Sequence, residues 1–184
     1  PGHGEDTLRF EEVPPPPPVE PLYLPTERCA WRKRLLRGEV HDDNAWTLGG
    51  VCGHAGLFGH LTAVMEAGRL WMSALQGRQD LGPISADTVQ TALSREHWMH
   101  PRGTRVLGWD TPTPGRSSSG RHFGRNAVGH LGFTGTSIWL DPDESVVMVL
   151  LTNRVCPSRA NNKIRQFRPL IHDAGWTGSM KGFT

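Results

Sequence analysis

The sequence is short of the features that define several protein classes. Three cysteines, an odd number spread over 184 residues, exclude a disulfide scaffold. The longest aliphatic run, Val146 to Leu151, falls far short of the roughly 20 apolar residues that cross a bilayer, so no membrane span is expected. The glycines show no period of three, which excludes collagen. Neither sign of charge dominates: 20 Lys and Arg against 18 Asp and Glu leave a formal +2. No internal repeat of about 20–50 residues is visible. After Pro1 there is no basic n-region, apolar h-region or small-residue cleavage site, and the expectation is that upstream sequence is missing. Localisation therefore stays open.

What the chain does have is glycine and proline, 22 and 15 residues. That content is compatible with one packed domain carrying a large share of loop. Charge is unevenly placed. Residues 1–25 are acidic and Pro-rich, and Pro14 to Pro18 should be extended polyproline II, read as a surface spacer. Two stretches are basic, one from Arg28 to Arg37 and one running from Arg154 through Arg159, Lys163 and Arg165 to Arg168. Both read as solvated faces. No RNP, zinc-finger or basic-zipper pattern accompanies them, so no nucleic-acid partner is expected.

Residues 26–59 are too rich in glycine for a helix and read as a shaped loop. Leu61, Val64, Met65, Ala67, Leu70, Trp71 and Leu75 recur at helical spacing and predict a helix with one apolar stripe, capped by Thr62 and stopped by Gly77. A second helix is predicted from Ser85, its cap, to about Glu96, with Val89, Ala92 and Leu93 facing the core. Arg105 to Asp110 reads as a short strand and Gly115 to Gly120 as a flexible loop. Ala127 to Leu140 and Ser145 to Asn153 are β-rich runs joined by Asp141-Pro142-Asp143-Glu144, which predicts an antiparallel hairpin. The second run is apolar throughout and is expected to be a central strand. A last helix is predicted from Ser158 to about His172, kinked or ended early at Pro169. Hairpin-joined strands with helices predict an α+β fold with an antiparallel sheet flanked by helices.

One stretch carries most of the chemical information: His130-Leu131-Gly132-Phe133-Thr134-Gly135-Thr136-Ser137. A histidine precedes glycines that let another backbone or a substrate lie against a strand edge. This stretch resembles the third active-site motif, His-Thr-Gly followed by Phe-Thr-Gly-Thr-Ser, of the serine β-lactamase-like (class C or penicillin-binding-protein-like) hydrolases. Upstream, His41-Asp42-Asp43-Asn44-Ala45 and Leu48 to Phe58 are similar to the loop before a helix in that family. Downstream, Leu150 to Val155 is similar to its strand end and Arg165 to Ala174 to its closing helix. The resemblance runs from about Leu24 to Trp176 and implies a partial β-lactamase/transpeptidase-like fold. The domain is expected over residues 26–176, with a lead-in at 1–25 and a tail at 177–184.

The resemblance also implies an acyl-serine mechanism that needs no cofactor. Its nucleophile lies in Ser-x-x-Lys and its second motif is Tyr-x-Asn. No serine in this chain has Lys three residues later, and the single tyrosine, Tyr23, precedes Leu24-Pro25. In the family both motifs precede the matched region. The expectation is a C-terminal segment of an esterase, amidase or D-aminopeptidase, a truncated product, or one chain of a split protein. Its partners would be an ester or amide substrate and the N-terminal half of the same fold. The alternative is a non-catalytic pseudoenzyme or binding module.

Within the motif, the resemblance makes the backbone N–H of Phe133 an oxyanion donor and sets His130 where related enzymes have Lys. His130 would be a donor or partly charged near neutrality. Leu131 stands where Thr or Ser is usual, which favours uncharged substrates. Leu131, Gly132, Thr134, Asn44 and His54 are the expected substrate-binding residues. Cys29 and Cys52 read as small buried residues. His41, Cys52, His54 and His60 are the only grouping that suggests zinc, at a spacing that fits no structural site, so no metal is expected. Ser117-Ser118-Ser119 lacks the elbow glycines of a nucleophile.

With no activated nucleophile, this chain should not hydrolyse nitrocefin or p-nitrophenyl acetate above a serine-free control. Labelling of any serine by a fluorophosphonate at active-site rates would contradict that expectation.

Overall fold

The computed structural model describes Arg9–Phe10, Tyr23–Arg95 and Thr104–Lys181. The expected polyproline run at Pro14 to Pro18 lies outside these residues. In chain order the elements are β1 (Arg9–Phe10), β2 (Arg28–Cys29), β3 (Arg34–Leu35), α1 (Asp43–Thr47), β4 (Leu57–Phe58), α2 (Leu61–Leu75), α3 (Ala86–Leu93), β5 (Arg105–Val106), β6 (Trp109–Asp110), β7 (Val128–Leu131), β8 (Ser137–Asp141), β9 (Val146–Leu150) and α4 (Ile164–Lys181). They fall into two compact units. The first holds the described residues up to Val64 with Phe133–Gly135 and Leu151–Asn162, and the second holds the remainder.

The second unit is an antiparallel five-stranded sheet in the order β5-β6-β7-β8-β9, with helices. Alternation along β8 divides its side chains between two cores. Leu140, with Ile138 and Val147, meets Met72, Ala74, Val89 and Leu93 from α2 and α3. Trp139, with Val146 and Met148, meets Phe123, Ala127 and Trp176. The sheet is thus covered by helix on both faces, as an α+β layer requires. Gly68 sets which face of α2 is buried, because a Cβ there would stand 2.7 Å from Val147 Cγ1. Leu61 and Leu70, expected in the buried stripe, are exposed, while Ala63, Met72 and Ala74 are buried. Thr62, expected to cap α2, lies inside the helix, which starts at Leu61 with the His60 carbonyl accepting from Val64 N; two other end signals match expectation. Ser85 Oγ accepts from the Thr88 amide, and Gly77 ends α2 at φ 70°.

The hairpin β8–β9 forms as expected, with Ser137 opposite Leu150 and Asp141 opposite Val146. Its acidic turn has a local cause: Asp141 Oδ1 accepts from the amides of Asp143 and Glu144, at 3.1 and 3.2 Å. Four expectations need correction. The run Ala127 to Leu140 is two strands, β7 and β8, because the glycines at 132 and 135 turn the chain between them. Arg105 to Asp110 is likewise a miniature hairpin, β5–β6, turning at Gly108. β9 is an edge strand of the sheet among the described residues, with every residue half-buried, and is not central. Gly115 to Gly120 is packed, since Ser119 is buried and Ser117 Oγ lies 2.6 Å from Ser119 Oγ.

α4 starts six residues later than expected, at Ile164, and continues past Pro169 to Lys181. Pro169 is close to the first turn, where amides need no helical acceptor, so it removes little beyond one bond to Arg165. Trp176 and His172, both buried, anchor the helix beyond it.

The first unit holds the hairpin β2–β3 and the pair β1–β4, together with α1. The segment read as loop therefore contains short regular elements. Asp42 caps α1, its carboxylate accepting from the Ala45 amide at 2.8 Å.

Gly129 is the tightest point of the sheet. It faces Trp139, and a Cβ would lie 2.2 Å from Trp139 Cδ2 and 2.7 Å from the Ile138 carbonyl oxygen. Gly129→Ala should cost about 1–3 kcal/mol or more in urea unfolding. Gly53→Ala, where nothing lies within 4 Å, should stay within about 0.5 kcal/mol of the parent.

Candidate functional site

The turn between β7 and β8 is built by its glycines and closed by backbone bonds. Gly132 N donates to Thr136 O at 2.8 Å. Gly135 takes φ 117°, and a Cβ there would meet the Arg154 amide nitrogen at 2.9 Å. That close approach lets Arg154 N donate to Thr134 O at 2.8 Å and Thr152 Oγ1 donate to Gly135 O at 2.6 Å. Arg168, buried on α4, donates through one Nη2 to Gly132 O at 2.7 Å and to Thr136 O at 2.8 Å.

At the tip, in the first unit, Phe133 is exposed but held. Its carbonyl accepts from Arg154 Nε at 2.7 Å, and the same guanidinium lies 4.1 Å from its ring centroid. The His41 ring stacks on it with centroids 5.7 Å apart and an interplanar angle of 29°. Among the described residues no group accepts a hydrogen bond from the Phe133 amide.

Behind Phe133 lies a buried carboxylate. Glu27 is 6% exposed and accepts from Arg159 Nη2 at 2.7 Å, from Arg159 Nε at 3.0 Å and from the Arg159 amide at 3.2 Å. His41 Nε2–H donates to the other side of it at 2.9 Å. Hydrogen bonding from Arg159 pulls the Glu27 carboxyl down to about 2, against the opposing effect of burial. Burial pushes His41 below the usual histidine range, although Glu27 works the other way. The circuit closes on itself, because the Arg159 carbonyl accepts from Arg154 Nη1 at 2.9 Å. Five residues from distant parts of the chain, Phe133, His41, Glu27, Arg159 and Arg154, thus form one ring of contacts.

The other expected site residues have separate placements. His130 is exposed on β7, opposite Ile138. Leu131, one residue on, points to the other face of the sheet and packs against the cluster of Phe123, Trp139 and Trp176. Leu131 is half-buried there, a placement that alternation along the strand imposes. Gly132 and Thr134 are half-buried in the turn. Asn44 is exposed on α1, where its carbonyl accepts from Thr47 Oγ1. His54 lies 3.1 Å from the capping carboxylate of Asp42. His41 is committed to Glu27, and among the described residues no three His, Cys, Asp or Glu side chains cluster as metal ligands. Cys29 is buried.

The basic stretches are solvated in part: Arg28, Lys33, Arg34, Arg159, Lys163 and Arg165 are exposed, whereas Arg32 and Arg168 are buried. Arg32 is buried, donating to Val40 O at 2.8 Å and pairing with Asp43 at 2.8 Å, with Trp31 and Trp46 rings 5.0 and 4.9 Å from its guanidinium. Arg154, Arg159 and Arg168 all bind carbonyls or carboxylates. Sequence reasoning missed Glu27, Arg154, Arg159 and Arg168 as site residues. The available signal was that both basic runs, Arg28 to Arg37 and Arg154 to Arg168, lack acids of their own, which implies partners from elsewhere in the chain. A further polar pair sits inside the second unit: His172 Nδ1–H donates to Ser118 O at 2.8 Å and Nε2 accepts from Ser137 Oγ at 3.0 Å. Ser137 and His172 are 4% and 1% exposed, so this is a core contact.

A five-stranded antiparallel sheet with helices on both faces defines the class as α+β. A family model described as Beta-lactamase matches residues 6–170. The chain belongs to this family, the serine β-lactamase and penicillin-binding-protein-like hydrolases. Similar curated proteins carry the name "Putative D-alanyl-D-alanine carboxypeptidase". The one from Escherichia coli strain K12 is 36% identical over 129 residues, 67% of this chain and 28% of that protein. The one from Escherichia coli O157:H7 is 37% identical over 123 residues, 64% of this chain and 27% of its own length. The one from Salmonella paratyphi B is 33% identical over 143 residues, 72% and 31% respectively. The chain thus spans under a third of the length of these relatives. No solved structure matches it. Among the described residues no helix is long and apolar enough to cross a membrane.

The buried groups give stability a definite pH dependence. His41 and His172 have folded pKa values below the usual 6.5, so their contribution is present above that value and is lost as pH falls below it. Glu27 adds a second loss between 4.5 and about 2. Urea midpoints should therefore be flat above about pH 7 and fall on acidification. Glu27→Gln should shrink the part of the fall that lies below pH 4.5, leaving there the loss from Asp42, whose carboxyl is lowered by the Ala45 amide, and should keep the part above it.

Proposed function

We propose that this chain supplies the oxyanion-side segment of a serine hydrolase that cleaves esters or amides through an acyl-serine intermediate. The Ser-x-x-Lys nucleophile would come from the N-terminal half of the same fold. The observation that carries this reading is the Phe133 amide: among the described residues it has no acceptor, and the chain on either side of it is held by Arg154 and Thr152 at one end and by Arg168 at the Gly132 carbonyl. When the serine attacks the substrate carbonyl, negative charge develops on the carbonyl oxygen, and a preorganised N–H is worth a few kcal/mol there. Gly132 and Thr134 flank that amide as substrate contacts, and His130 supplies a donor three residues before it. Asn44 and His54 serve as outer substrate contacts. Leu131 contributes packing.

The N-terminal half is supported as partner by two surfaces of the second unit. β9 is an open edge among the described residues, a surface on which another strand can pair. On α4, Phe167, Leu170 and Ile171 are 43%, 67% and 36% exposed at helical spacing.

A second reading concerns the substrate. The names of the relatives favour a peptide ending in D-alanyl-D-alanine. The expectation of an uncharged substrate rested on Leu131 lacking a hydroxyl. Leu131 is half-buried against the Trp139 cluster, and the two substrate classes are separated by the experiment below.

The test uses the chain fused to or co-expressed with an N-terminal half carrying Ser-x-x-Lys. Phe133→Pro deletes the amide hydrogen and should lower kcat by about a hundredfold or more with little change in KM. Circular dichroism melts establish that the variant is folded. A folded variant within threefold of the parent kcat would refute the oxyanion role. Comparing kcat/KM for a neutral ester and a D-alanyl-D-alanine peptide decides between the substrate classes.

A further inference from the structure

Arg168 has no place in the reading so far beyond anchoring the turn, yet it grips an informative atom. Its Nη2 donates to the carbonyl oxygen of Gly132 at 2.7 Å. That carbonyl and the Phe133 N–H belong to one peptide unit, which is planar and trans. Holding the oxygen therefore fixes the direction of the N–H, which leaves the opposite side of the same plane. The second bond from Nη2, to Thr136 O at 2.8 Å, ties the plane to the first residue after the turn. Arg168 is 7% exposed, and its guanidinium is charged at all accessible pH values. A buried positive charge on a peptide oxygen also draws electron density away from the nitrogen, which makes the N–H a stronger donor.

We propose that Arg168 is a positioning residue that orients and polarises the Phe133 amide. This rests on the reading of that amide as the oxyanion donor. It explains why an arginine occupies a buried position on α4 where its neighbours Arg165 and Phe167 are exposed. It also assigns the final helix a part in the chemistry rather than in packing alone. The effect belongs to the transition state, since charge on the substrate oxygen grows there.

Two measurements separate this inference from the reading beneath it. The first needs no catalysis. In ¹⁵N-labelled chain, the Phe133 amide proton should move upfield in Arg168→Met by clearly more than amides elsewhere in the sheet, and in Arg168→Lys by less. Arg168→Gln replaces Met if the Met variant does not fold. An unmoved Phe133 amide in a folded variant would overturn the proposal, as would a Lys variant no better than Met. The second measurement uses the enzyme restored with its nucleophile-bearing half. Arg168→Met should lower kcat roughly ten- to a hundredfold at unchanged KM, and Lys should recover part of it. If the amide moves but kcat does not, Arg168 does act on the Phe133 amide and the oxyanion reading fails. A rise in KM at unchanged kcat would overturn a positioning role.

Discussion

A carboxylate removed from water must be met on every side, and Glu27 imposes that requirement on the first unit. At 6% exposure it can stay ionised only if donors fill its oxygens. Arg159 supplies three and His41 a fourth. Each donor is then committed in direction. His41, turned toward Glu27, presents its ring to Phe133. Arg159, fixed through its side chain, offers its carbonyl to Arg154. Arg154 in turn holds the Phe133 carbonyl. A single buried charge thus propagates, through ordinary hydrogen-bond geometry, to the residue whose amide faces outward.

The second unit reaches the same stretch of chain by another route. β7 and β8 hold the two ends of the turn in register, and Gly129 lets the strands close over Trp139 without a clash. Arg168 then binds the carbonyls at both ends of the turn. The turn carries glycine at two of its five positions, Gly132 and Gly135. Such a turn would be loose if only glycine built it. Arginines supply the stiffness that glycine cannot.

Membership of the β-lactamase family gives these features a common purpose but does not by itself supply chemistry. The matched part carries no Ser-x-x-Lys, and the relatives it matches are more than three times as long as the aligned part.

Local signals were legible in the sequence because their causes are local. Ser85 caps α3, Gly77 stops α2 and the acidic turn joins β8 to β9, each through residues within a few positions of one another. The α+β class, the antiparallel hairpin and the family motif from His130 to Ser137 could be read for the same reason. What tertiary structure alone decided is which groups meet across long stretches of chain: Glu27 with Arg159, Gly132 with Arg168, His41 with Phe133. Composition shows arginines in a run but not that carbonyls and carboxylates from elsewhere will desolvate them. Alternation shows that His130 and Leu131 face opposite ways but not that the Trp139 core lies on Leu131's side. A run of apolar residues shows that β9 is covered on its faces, but only the pairing order places it at the edge, because hydrogen bonding between strands leaves no trace in side-chain pattern.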